Sequence, residues 1–295
     1  MARKLIPLLL FSLLLCLPVL GSASTVTTSF FPIHLFASNL LNGIDEITLH
    51  SLAQPDTGCL HDYQLSSGDL IALSDSDVFL INGADMESFM DFVFDAFPEM
   101  PVVNASEGIA LLPSVSGETE YNAHIWLTPA NAQQMCRNLA DGLIRIFPQY
   151  EDRIQANLAS YVDSLEALDE TLKVGLASLT RRDIVTFHEA FPYFADYYDL
   201  SVVAVIALEP DDALSTGELA ALVTTIRENN LPPLFTEPQY PSLAADVLAR
   251  ETGAPVYTLD PVVTPPSGEL PLDWYQTVML ENLKVLQSAL GSNLE

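Results

Sequence analysis

The chain has 295 residues, with 39 acidic against 11 basic side chains, a formal charge of −28, 49% apolar residues and a mean hydropathy of +0.27. So negative a surface repels nucleic-acid backbones and anionic headgroups, and the even spread of apolar residues excludes a disordered chain. About 270 residues beyond the leader described next suffice for two domains with their own cores.

The chain opens with the short basic "MARK", the apolar run "LIPLLLFSLLLCLPVL" and the small residues "GSA". A secretory signal over residues 1–23, cut after Ala23, is expected from that order. Pro18 interrupts the run, which is shorter than the ~20 residues of a spanning helix. Cys16 lies inside the discarded apolar stretch; lipidation there is the alternative, and Leu15 stands where a small residue would be needed. Cleavage removes Arg3 and Lys4 and no acidic residue, so the formal charge moves from −28 to −30.

Strand-like runs then alternate with helical stretches. They are "TVTTSFF" (25–31), "EITLHSL" (46–52), "DVFLING" (77–83) and "PVVNAS" (101–106), followed later by "RDIVTF" (182–187), "SVVAVIAL" (201–208), "PPLFTEP" (232–238) and "APVYTLDP" (254–261). The alternation predicts an α/β protein, two parallel sheets flanked by helices. Between the two sets, 129–147 reads as a helix with Pro129 in its first turn. The stretch 149–179 repeats Ile154, Leu158, Tyr161, Leu165, Leu168 and Leu172 at steps of three or four, a helix of about 45 Å at 1.5 Å per residue. Expected boundaries are therefore an N-terminal domain over 24–148, a connecting helix over 149–179 and a C-terminal domain over 180–295, ending in an amphipathic helix over 272–290.

Ligands of open parallel sheets bind beyond the carboxyl ends of the strands. His61, in "GCLHDY", follows the second strand, His188 and Glu189 follow "IVTF", Glu237 ends "LFT" and Asp260 ends "VYTL", while His124 precedes the 129–147 helix. Three imidazoles and a carboxylate suit a divalent first-row metal. The spacings carry no local signature, and a histidine read alone is most often an ordinary surface residue or a hydrogen-bonded core member. There is no H-E-x-x-H, C-x-x-C, G-x-S-x-G, G-x-G-x-x-G or P-loop pattern. Cys59 and His61 lack a third group to act as a nucleophile pair, and Cys59 and Cys136 are free to pair or not. His34 and His50 read as structural or surface residues.

The blocks "TSFFPIHLFASNL", "HDYQLSSGDLIALSDSDVFLINGADME", "NAHIWLTPANAQQM", "FHEAFPYFADYYDL" and "EPQYPSLAADVLARETGAPVYTLDP" follow one another over nearly the whole mature chain. In this order they resemble the zinc and manganese substrate-binding proteins of ABC transporters, the TroA-like family. The resemblance implies two α/β domains on one backbone helix, with metal between them held by His61, His124, His188 and Asp260. It implies zinc in preference to manganese, since manganese-preferring members typically carry glutamate where this chain has His188. It also implies a monomeric, non-enzymatic carrier, exported to the periplasm or cell surface, that delivers Zn²⁺ to a membrane permease without contacting nucleic acid. A Mn²⁺ or Fe²⁺ carrier on the same fold, or a surface adhesin, is the alternative. The chain departs from many zinc members in the short histidine-free "LLPSVSGETEYNA" before His124, which gives no ground for metal capture by a loop, and in Cys59, whose role stays open.

Overall fold

The structure, a computed structural model, describes residues 24–53, 60, 63–114, 119–206, 215–230, 232–238 and 243–291. Residues 1–23, where the export signal is expected, and Cys59, His61 and Asp62 lie outside the described residues.

Strands β1 (Ser24–Thr28), β2 (Ile47–Ser51), β3 (Val78–Ile81) and β4 (Val102–Asn104) form one sheet in the order β2-β1-β3-β4, every pairing parallel. Helices α1 (Phe31–Leu40), α2 (Ser67–Ser74) and α3 (Met90–Ala96) lie between these strands in the chain. The central strand β3 reads "VFLI" and is buried at every position, as expected of a strand covered on both faces. It ends in a turn at Gly83, φ +75°, where a Cβ would stand 2.0 Å from the Asn104 side-chain oxygen, so only glycine fits.

Helix α4 (Pro129–Ile146) begins where Thr128 caps it, the hydroxyl oxygen accepting the Asn131 N–H at 3.2 Å. Helix α5 (Glu151–Ala177) follows, 27 residues, about 40 Å long at 1.5 Å per residue. Ile154, Tyr161, Leu165, Leu168, Leu172 and Leu176 form its buried stripe, the three-and-four periodicity expected from the sequence. The helix packs against α1 and α4 and, further along, against the closing helix α9 (Trp274–Leu290).

A second sheet, β6-β5-β7-β8, repeats the order of the first. It comprises β5 (Asp183–Thr186), β6 (Ser201–Val205), β7 (Leu234–Thr236) and β8 (Val256–Thr258), again all parallel, with α6 (Pro192–Tyr197), α7 (Thr216–Glu228) and α8 (Leu243–Thr252) between them. The protein is thus two parallel-sheet domains flanked by helices and linked by one long helix. The linkage is more than a rod, because one continuous apolar core runs from Val26 and Leu80 through α4 and α5 to Ile184, Phe235 and Leu259.

His34 lies in α1 and His50 in β2, as elements of the scaffold. Burial holds the His34 imidazole down to about 4, with His50 adding to the effect, so it stays neutral. Cys136 is a fully buried free thiol. No helix among the described residues is long and apolar enough to cross a membrane.

Candidate metal site between the domains

In both sheets the chain changes direction between the two middle strands, and side chains beyond their carboxyl ends meet in the crevice this creates. In the second sheet those strands are β5 and β7. Thr186 pairs with Phe235, and continuing that parallel register by two residues sets His188 beside Glu237. Both side chains are about 1% exposed, and His188 Nδ1 is paired with Glu237 Oε1.

Asp260 comes from the next strand end, two residues past β8. Asn282 of α9 clamps it on both sides, accepting its N–H at 2.9 Å and donating to its carbonyl at 2.7 Å. Its own Oδ1 accepts the N–H of Val262 at 2.7 Å. Val262 is fully buried and takes φ +61°, a left-handed conformation that costs a β-branched residue on the order of 1–3 kcal/mol. The Asp260 carboxyl is pushed up to about 6, chiefly by burial; the Val262 N–H opposes the shift and nearby Glu237 adds to it.

From the first domain, the loop ahead of α4 carries His124. Asn82, immediately after β3, donates to the carbonyl of Ala123 at 3.0 Å and so ties this loop to the sheet. Asn122 then fixes His124: its side-chain oxygen accepts the His124 backbone N–H at 2.9 Å and faces His124 Nδ1 at 3.3 Å. Its amide nitrogen donates to the carbonyl of Glu189 at 2.8 Å, which settles which end of the amide is oxygen.

The two histidines meet. Nε2 of His124 and Nε2 of His188 are 3.2 Å apart, with ring centroids at 5.1 Å, and both residues are almost fully buried. Their Nδ1 atoms face a carboxylate and an amide oxygen, both acceptors, so the neutral rings are favoured as Nδ1–H tautomers. The two Nε2 atoms thus face each other at hydrogen-bond distance, a spacing that either a shared proton or a shared cation can fill. Glu189 points elsewhere: its carboxylate accepts the Ser114 hydroxyl across the cleft at 3.0 Å.

Of the residues picked out from sequence, then, the structure brings His124 and His188 together and sets Asp260 on the strand end next to Glu237. His61 lies outside the described residues, and among the described residues no three His, Cys, Asp or Glu side chains are grouped closely enough to hold a metal ion. Asn122 and Trp126 were not singled out by sequence. Glu237 ends a strand in the sequence and lies outside the expected ligand set, although the strand-end rule that points to Asp260 applies to it equally.

Trp126 completes the junction. Its indole N–H donates to the Pro261 carbonyl at 2.7 Å, and its own carbonyl accepts the Tyr275 hydroxyl at 2.7 Å, so both reach into the second domain.

Two parallel-sheet domains on one helical backbone, with the imidazoles of His124 and His188 meeting between them, are the architecture of the TroA-like metal-binding solute-binding proteins. The chain belongs to the ZnuA family, zinc-uptake complex component A, periplasmic, which it matches over residues 26–289. It is 26% identical over 277 residues to the zinc-binding lipoprotein AdcA of Streptococcus pneumoniae serotype 4, covering 89% of this chain and 55% of AdcA, so it spans about half the length of that relative. It is 27% identical over 287 residues to the high-affinity zinc uptake system protein ZnuA of Bacillus subtilis, covering 92% of this chain and 88% of that protein. The crystal structure of the Zn(II)-bound ZnuA-like domain of S. pneumoniae AdcA superposes with a TM-score of 0.78 at 26% identity, covering 90% of this chain and 98% of that one.

Proposed function

We propose that the chain captures Zn²⁺ in the inter-domain cleft and delivers it to the permease of an ABC transporter, with His61, His124, His188 and Asp260 as the ligands. The observation that carries this reading is the 3.2 Å separation of the two Nε2 atoms. Two nitrogens bound at about 2.0–2.1 Å to one tetrahedral zinc stand roughly 3.3–3.4 Å apart, so the pair is already spaced for a shared ion. Asp260 adds an anionic oxygen from the neighbouring strand end, and His61 adds a third imidazole from the "GCLHDY" loop.

In this reading residues 1–23 are an export signal, 24–148 and 180–295 are the two lobes and 149–179 is the connector. The carrier works outside the cytoplasmic membrane as a monomer. A nitrogen donor at His188, where manganese carriers typically have glutamate, favours zinc, and the zinc-binding names of the relatives support the same choice. Glu189, the sequence neighbour of His188, is engaged by Ser114.

Metal analysis of protein purified without added metal, followed by competition of Zn²⁺ against Mn²⁺, tests the reading. One zinc per chain, not displaced by excess manganese, is expected; tighter binding of manganese or iron overturns the choice of metal.

A further inference from the structure

Glu237 stands outside the four-ligand set, yet it is 4% exposed and its carboxylate meets the one His188 nitrogen that does not face His124. A carboxylate is costly to bury unless it is well paired, so its place at this strand end calls for a partner that needs it. The β5–β7 register supplies that partner, since the two residues follow strands already paired through Thr186 and Phe235.

We infer that Glu237 is a positioning residue for His188. Its carboxylate accepts the Nδ1–H, which holds the ring in one tautomer and one orientation and leaves the Nε2 lone pair directed at the cleft. A carboxylate in this role also increases the donor strength of the opposite nitrogen, and removing such a partner typically costs about 10–100-fold in metal affinity. Asn122 plays the matching part for His124 with a neutral amide oxygen at 3.3 Å. The two imidazoles are therefore unequal, and His188 is the stronger donor. The consequence for zinc rests on the proposed reading that His188 is a ligand; the consequence for the ring does not.

Two readouts keep these apart. In metal-free protein in mildly alkaline buffer, long-range ¹⁵N–¹H correlation reports which His188 nitrogen carries the proton. Zinc affinity is measured by competition with a chelator. Wild type is expected to show the Nδ1–H form. Glu237→Ala is expected to lose that preference and bind zinc about 10–100-fold more weakly, and Glu237→Gln, which keeps an acceptor oxygen, is expected to recover a large part of both. An Nε2–H tautomer in wild type overturns the inference outright, even if the alanine variant fails to fold. So does a folded Glu237→Ala protein with unchanged tautomer and unchanged zinc affinity. If His188→Ala binds zinc like wild type, the ligand assignment fails, while the tautomer of wild type and Glu237→Gln still decides the positioning role.

Discussion

The indole N–H of Trp126, in the first domain, donates to the carbonyl of Pro261, in the second, at 2.7 Å. Pro261 is buried and directly follows Asp260, so this bond connects the loop that carries His124 to the turn that carries Asp260. Trp126→Phe leaves a buried carbonyl without its donor. A loss of about 1–3 kcal/mol is expected, seen as a lower midpoint in urea unfolding, with the stabilisation gained on adding zinc also reduced. A variant with the wild-type midpoint would mean that the bond does not hold the two loops together.

Asp169 of α5 is 7% exposed and accepts the Tyr198 hydroxyl at 2.8 Å and the Tyr197 hydroxyl at 3.0 Å. At the other end of the helix, Asn157 donates to the carbonyls of Leu40 and Asn42, each at 2.9 Å. The long helix is thus fastened to the end of α1 in one domain and to the end of α6 in the other. Asp169→Ala strands the buried Tyr198 hydroxyl and is expected to cost about 1–3 kcal/mol in urea unfolding. Lys173 also pairs with Asp169, at 2.7 Å, but it is exposed. Lys173→Ala is therefore expected to leave the midpoint nearly unchanged.

Glu87 is 5% exposed, and its two carboxyl oxygens accept the N–H groups of Asn82 at 2.7 Å and Gly83 at 3.0 Å. Burial pushes this group up to about 7 against an ordinary 4.5, with the backbone N–H groups of Asn82 and Gly83 opposing the shift. A carboxyl raised on folding keeps its proton in the native state after the unfolded chain has lost it. Its contribution to stability therefore falls as pH rises from about 4.5 to about 7 and is level above that. The fall is at most about 3.5 kcal/mol, taking ~1.4 kcal/mol per pH unit between the two values. Unfolding free energies across that range are expected to decline less steeply in Glu87→Gln than in wild type; parallel slopes would contradict the assignment.

Much of the architecture was legible in the sequence because it rests on local pattern. The stripe from Ile154 to Leu172 could only be helical, and the alternation of β-branched runs with helices required parallel sheets. His188 and Asp260 are legible because each lies two residues past a strand end, where such sheets present ligands. What sequence could not supply was register and direction. That His188 lies beside Glu237 follows from the pairing of Thr186 with Phe235, residues whose separation along the chain has no periodic trace. Nothing local marks Val262, a β-branched residue, for φ +61°; the Asp260 carboxyl and the Trp126 bond to Pro261 secure it there. Asn122 reads as an ordinary loop amide until the carbonyl of Glu189, 67 residues away, is brought to it.

The central claim is that His124 and His188 share one zinc ion with His61 and Asp260. It is tested most directly by metal analysis and chelator-competition titration of wild type beside His188→Ala, with circular dichroism to confirm that the variant is folded. One tightly held zinc per wild-type chain is expected, with at least a tenfold loss of affinity in the variant, about 1.4 kcal/mol or more. A folded His188→Ala protein that retains one zinc at wild-type affinity would contradict the account.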